Sequence, residues 1–154
     1  MNQNLNVMIN APSSHRLRRG RVSEPGRAYL VTTVTRTREP VFENLWSART
    51  LIGVLMEADR VGMSRTLAFV VMPDHLHWLL RLDTAATLSQ VVQRVKSVSA
   101  HRIGRAIWQS GFHDRGAREG EDVRDQARYI VANPLRAGLV ERVGDYPHWD
   151  AIWI

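Results

Sequence analysis

The sequence predicts an α+β fold: a ferredoxin-like sandwich with a four-stranded antiparallel sheet, helices packed on it, and a last helix that carries a tyrosine. Three observations predict it. The segments run in the order strand, helix, strand, strand, helix, strand, helix, the order of a split βαβ arrangement. Residues 66–72 and the stretch from His75 onward are joined by Pro73-Asp74, a pair suited to a tight turn, which makes them an antiparallel hairpin. Between strands, apolar residues recur at three- and four-residue spacing, as in helices with one buried side.

From the N-terminus, residues 1–27 form a basic arm that includes His15-Arg16-Leu17-Arg18-Arg19-Gly20-Arg21. Residues 28–36 are rich in Val, Thr and Tyr and read as the first strand, broken by Pro40. Asn44 suits the N-cap of a helix reaching about Val61. Ala48, Leu51, Ile52, Leu55 and Met56 face inward there, and Gly62 is the stop. In the strand after the turn, side chains alternate. Leu76, Trp78, Leu80 and Leu82 share one face, while His75, His77, Leu79 and Arg81 share the other.

Thr84 or Thr87 opens a second helix with Leu88, Val91, Val92, Val95 and Val98 inward. Its outer side carries Gln90, Arg94, Ser97 and His101, with Lys96 and Arg102 beside them. Residues 107–112 read as a short fourth strand and 114–120 as a polar loop. The last helix spans about 121–132, with Glu121 and Asp122 at its positive end and Val123, Ala127, Ile130 and Val131 buried. Asn133-Pro134 ends it. Leu135, Leu139, Val140, Trp149 and Trp153 make the remainder of the chain too apolar to stay free, so residues 141–154 are expected to fold back on a domain spanning 28–140. No internal repeat is present.

At 154 residues the chain is one domain with room for a core. It has no cysteine, which excludes disulfides, zinc–thiolate sites and thiol catalysis. No apolar run approaches the ~18 residues of a membrane span. Residues 1–12 lack the basic-then-apolar order of a signal peptide, so a soluble, cytoplasmic and nucleoid-associated protein is expected. The formal net charge is +6, carried almost wholly by arginine, with Lys96 the only lysine. The planar guanidinium suits phosphate, which makes nucleic acid the leading partner. A GC-rich genome would favour arginine over lysine, but it would not explain the excess of positive charge.

Two imidazoles two residues apart on a strand point the same way, close enough to grip one metal ion or phosphate. They could equally be surface histidines on a solvated sheet face. Tyr129 falls roughly 140° from the centre of its helix's buried stripe, so it is not core. Asn133 lies one turn further on the same side. A phenol and a hard oxygen ligand presented to two imidazoles would make a three-ligand metal site with open positions. The competing reading is a surface tyrosine with Asn133 as a C-cap.

Met72-Pro73-Asp74-His75-Leu76-His77-Trp78-Leu79-Leu80 resembles the HUH (His-hydrophobic-His) motif of single-tyrosine transposases. The run from Tyr129 to Val140, YIVANPLRAGLV, is similar to the second signature of one branch, the REP-associated tyrosine transposases. Further similarity lies in Pro25-Gly26-Arg27-Ala28-Tyr29-Leu30-Val31-Thr32, Val95-Lys96-Ser97 and Trp108-Gln109-Ser110-Gly111-Phe112-His113-Asp114, so the match covers nearly everything from Arg16 to Val140.

That resemblance implies a catalytic Tyr129 that attacks single-stranded DNA, leaving a 5′-phosphotyrosine and a free 3′-hydroxyl. It implies that His75 and His77, with Asn133, hold Mg²⁺ or Mn²⁺ against the scissile phosphate. Mn²⁺ suits two imidazoles better than Mg²⁺ does. DNA contacts would fall to Arg16, Arg18, Arg19 and Arg21 in the arm, to Arg36, and to Lys96 and Arg102 on the second helix. His113, Arg115 and Arg136 would lie near the site. The implied partner is a REP-type hairpin with a flanking single strand, met by a monomer, with a dimer as the open alternative. Two other readings stay open: a hairpin-binding protein without turnover, and a metal-dependent phosphodiesterase in which water attacks.

Overall fold

The computed structural model describes residues 23–83, 86–118 and 121–153. The arginines of the basic arm, Arg16, Arg18, Arg19 and Arg21, therefore lie outside the described residues. The elements are β1 (Ala28–Val34), α1 (Leu45–Arg60), β2 (Ser64–Met72), β3 (His75–Leu82), α2 (Leu88–Ile103), β4 (His113–Gly116), α3 (Val123–Val131), a one-turn α4 (Asn133–Arg136) and β5 (Trp149–Ala151). The strands form a single sheet in the order β4-β1-β3-β2-β5, and every neighbouring pair is antiparallel. The expected α+β sandwich is present, with a fifth strand the sequence did not announce.

The sheet has two dissimilar faces. Leu76, Trp78, Leu80 and Leu82 of β3 join Tyr29, Val31, Phe69 and Val71 against α1 and α2. Trp78 is fully buried there, and its indole N–H donates to Thr66 Oγ1 at 2.9 Å. Asn44 caps α1 as its position suggested, accepting from the Ser47 amide at 3.0 Å. Thr87 caps α2, and Gln90 returns the bond in a capping box. The opposite face buries Ala28, Leu67, Ala68, Val70, Met72 and Leu79 under Ala127, Ile130 and Val131 of α3. A register shift between Thr66 and Ala68 adds one residue to β2, which turns both Leu67 and Ala68 toward this second face.

Three expectations need correction. The fourth strand is not 107–112 but His113–Gly116. Ile107 and Phe112 do bury their side chains in the core against the sheet, yet they lie on irregular chain, whose backbone pairing with the sheet is an isolated bridge between Thr35 and Trp108. Met56 of α1, and Leu135, Leu139 and Trp153 further on, stay exposed. Lys96 is not on the outer side of α2. It is only 8% exposed, and its ammonium donates to the carbonyls of Gln109 at 2.7 Å and Gly111 at 2.6 Å. This lysine ties α2 to the segment leading into β4, because a buried charge must find acceptors.

The chain after α4 runs along the β2 edge. Val71 N donates to His148 O at 2.8 Å and Ile152 N to Leu67 O at 3.0 Å. The Tyr146 hydroxyl donates to Val71 O at 2.6 Å, and burial pushes that phenol's pKa up to about 12. No helix among the described residues is long and apolar enough to cross a membrane.

Candidate functional site

The second sheet face carries the paired histidines. Met72 pairs directly with His75 across the Pro73-Asp74 turn, so His75 and His77 start the strand that α3 overlies. The turn is fixed from outside: Thr35 N and Oγ1 both donate to Asp74 O, at 2.9 and 3.0 Å, and Phe42 N donates to Pro73 O at 2.9 Å. The two imidazoles stand edge to face with centroids 4.8 Å apart. Each ring is held through its Nδ1, by Asp74 Oδ1 at 2.7 Å for His75 and by Thr32 Oγ1 at 2.8 Å for His77. A carboxylate only accepts, so His75 Nδ1 carries the proton and Nε2 keeps its lone pair. When His77 Nδ1 likewise donates to Thr32, both Nε2 atoms are available to a cation.

Both rings are kept neutral. Burial lowers the His75 pKa, outweighing the hydrogen bond and charge of Asp74, which pull it the other way. For His77 burial is again the largest cause. The neighbouring His75 and the Arg136 guanidinium add to it, and the pKa is pushed down to about 3. Asp74 is shared with Arg38, whose guanidinium lies 3.4 Å from its other oxygen. Thr37 and Arg38 both adopt left-handed backbone, with φ of 53° and 56°, a conformation costly enough for non-glycine residues to need a surrounding contact that holds it.

Tyr129 projects from the outer side of α3 and is 64% exposed, as its place off the Ala127, Ile130, Val131 stripe requires. Asn133 is not the C-cap of that helix. Ala132 takes that position, and Asn133 opens α4, where Pro134 is tolerated in the first turn. The Asn133 Oδ1 accepts from Arg136 Nη2 at 3.3 Å. The same guanidinium lies over the Tyr129 ring, 3.9 Å from its centroid. Arg136 therefore contacts both members of the tyrosine–asparagine pair, while its charge bears on His77.

The other basic candidates are spread over both faces. His113 pairs with Thr32 and Thr32 with His77, so the three occupy one row across β4, β1 and β3 on the histidine face. Arg115 lies two residues on and donates to Glu121 at 2.7 Å. Arg36 is exposed at the end of β1. Arg102 is on the surface of α2, paired with Glu57 at 2.6 Å and far in the fold from the histidine face. Thr32, Asp74 and Arg38 were not singled out for the site. For Thr32 the signal was available, since a polar residue in a Val- and Tyr-rich strand opposite a histidine is unexplained by packing.

Among the described residues no three His, Cys, Asp or Glu side chains converge as a metal cage. The two neutral imidazoles face a cation with their Nε2 lone pairs as donors. That donor set fits Mn²⁺ and accommodates Mg²⁺.

Fold and site together define an α+β domain in which a tyrosine-bearing helix packs on the sheet face that carries a half-buried pair of neutral imidazoles. The chain belongs to the IS200-like transposase family, whose model matches residues 26–114 and so includes both histidines. Among curated proteins it is 33% identical over 82 residues to a REP-associated tyrosine transposase of Escherichia coli, covering 52% of this chain and 50% of that one. The chain thus spans about half the length of that relative. Among solved structures, that of a REP-associated tyrosine transposase bound to a REP hairpin superposes with a TM-score of 0.73 at 26% identity, over 84% of this chain and 79% of that one. A candidate transposase from Deinococcus radiodurans shares the fold, with a TM-score of 0.54 at 22% identity over 74% and 95% of the two chains.

Proposed function

We propose that this chain is a single-strand DNA endonuclease and strand transferase acting on REP-type hairpins. The observation that carries the reading is Arg136, which links Tyr129, Asn133 and the field at His77 in one cluster. Its structural relative bound to a REP hairpin supports the choice of substrate.

In this reading the Tyr129 oxygen attacks the scissile phosphorus, and the 3′-oxygen leaves and takes up a proton. The product is a 5′-phosphotyrosine with a free 3′-hydroxyl. Because the phosphodiester bond is exchanged rather than hydrolysed, a second 3′-hydroxyl can reverse the step on new ends without a nucleotide cofactor. A divalent ion at His75, His77 and Asn133 would, when bound, polarise the phosphoryl oxygens and offset developing charge. Asp74 and Thr32 hold the imidazoles in one orientation, and burial keeps them uncharged and able to ligate. Exposure of Tyr129 admits a polymer substrate, which an enclosed nucleophile would exclude. His113, Arg115 and Arg36 supply cationic or titratable groups on or beside this face for the DNA backbone. Arg102 lies on the other face, where it could contact only flanking DNA.

A labelled REP-type single strand incubated with Mg²⁺ or Mn²⁺ and run on a denaturing gel tests this. Nicking together with a protein–DNA adduct, both lost in Tyr129→Phe, is the expected result. Nicking that survives the substitution would transfer the reading to a water-attacking phosphodiesterase. Tight hairpin binding with no nicking would leave a binding protein.

A further inference from the structure

Arg136 spends its charge differently from the arginines that form ion pairs. Arg38, Arg102, Arg105, Arg115, Arg128 and Arg142 each pair with a carboxylate. Among the described residues Arg136 meets no carboxylate. Its charge is set against an aromatic face and an amide oxygen instead. The backbone fixes where it stands: Arg136 N donates to Ala132 O at 3.1 Å and Ala137 N to Asn133 O at 2.9 Å, around a buried Pro134.

Resting on the function proposed above, we infer that Arg136 is a positioning residue for the nucleophile. Before DNA arrives it holds the Tyr129 ring and the Asn133 amide in one arrangement. The guanidinium occupies Asn133 Oδ1, the atom a divalent ion would use, so ion and arginine compete for that oxygen. The bond is long at 3.3 Å and solvent-exposed, hence readily exchanged. An incoming phosphate offers the released N–H groups a better acceptor. The planar group keeps its place over the ring while its edge changes partner from amide to phosphate, so arrival of substrate frees the ligand oxygen and leaves the phenol aimed.

Two measurements test this on the full chain, using Arg136→Gln and Arg136→Lys. Arg136 is exposed, so neither variant should threaten folding. The first measurement is Mn²⁺ binding to the DNA-free protein by electron paramagnetic resonance. Arg136→Gln should bind Mn²⁺ about threefold to tenfold more tightly, since a competitor and a like charge are both removed. The second is single-turnover cleavage of the hairpin strand. Arg136→Gln should slow the step about thirtyfold while changing hairpin affinity less than about threefold, and Arg136→Lys should recover little because it lacks the planar fork.

Fluorine NMR of protein labelled with 3-fluorotyrosine gives a readout free of activity: the Tyr129 signal, assigned by its loss in Tyr129→Phe, should move in Arg136→Gln. Unchanged Mn²⁺ affinity with an unmoved Tyr129 signal overturns the inference. So does a loss confined to hairpin affinity, which would make Arg136 a plain DNA contact. Wild-type protein that forms no adduct would sink the proposed function instead, and the Mn²⁺ and fluorine results would still decide whether Arg136 holds this pair.

Discussion

The two faces of the sheet are built on different terms. The face under α1 and α2 buries Trp78, Phe42, Leu51, Leu55 and Leu80 in a largely apolar core. The face under α3 buries smaller residues, Ala28, Ala68, Val70 and Ala127 among them, and gives one end to two imidazoles. The first face supplies stability, and the second uses part of it to hold two half-buried, uncharged histidines. The same strand, β3, serves both, because consecutive side chains point to opposite sides.

The contrast between the faces is tested most sharply at Tyr129. Tyr129→Phe should abolish adduct formation, a loss of at least about a thousandfold, and leave the melting temperature where it was, since the hydroxyl belongs to no buried contact. A denaturing gel beside a thermal melt checks both halves. Trp78→Ala, on the other side of the sheet, should do the reverse in kind, costing about 3–5 kcal/mol of stability by urea titration. Cleavage at a temperature where the variant is folded should persist.

Lys96→Met should cost about 2–3 kcal/mol, because it leaves the carbonyls of Gln109 and Gly111 without their charged donor. A surface arginine or lysine contacting only DNA would instead lower affinity and leave the denaturation midpoint unmoved. The smallest effect is that of pH on the metal-free protein. His77 is charged in the unfolded chain below about 6.5 and neutral in the folded one down to about 3. The unfolded state therefore binds the extra proton, and stability falls as pH drops through that window. Between pH 7 and 5 the loss should approach about 2 kcal/mol, and His77→Gln should flatten that slope. An equal slope in the variant would show that the histidine face is not the source.

Much of this was legible in the sequence. Alternation in β3 separated the faces correctly, and the stripe on α3 placed Tyr129 outside the core. The edge strands were not legible. His113–Gly116 and Trp149–Ala151 are short and polar or mixed. Their pairing is set by the β1 and β2 edges, and intrinsic preference for strand is overridden in such places. Ile107, Trp108 and Phe112 looked more like a strand because burial alone selects the same residues. Lys96 could have been found: with Val92, Val95 and Ser99 it falls within the inward arc of α2, but its charge argued for water. The hold of Arg136 on Tyr129 and Asn133 was out of reach, since Asn133 appeared to close one helix when it opens another.

Ser64–Met72 is a nine-residue strand, buried along nearly its whole length. On the side away from β3, the strand that pairs with it among the described residues is Trp149–Ala151, three residues long. Removing that small cover would present a long, greasy, unpaired ribbon to any other copy in solution. Solubility of the domain thus hangs on the most modest strand it possesses, and fragments cut short of Trp149 should precipitate before they lose their helices.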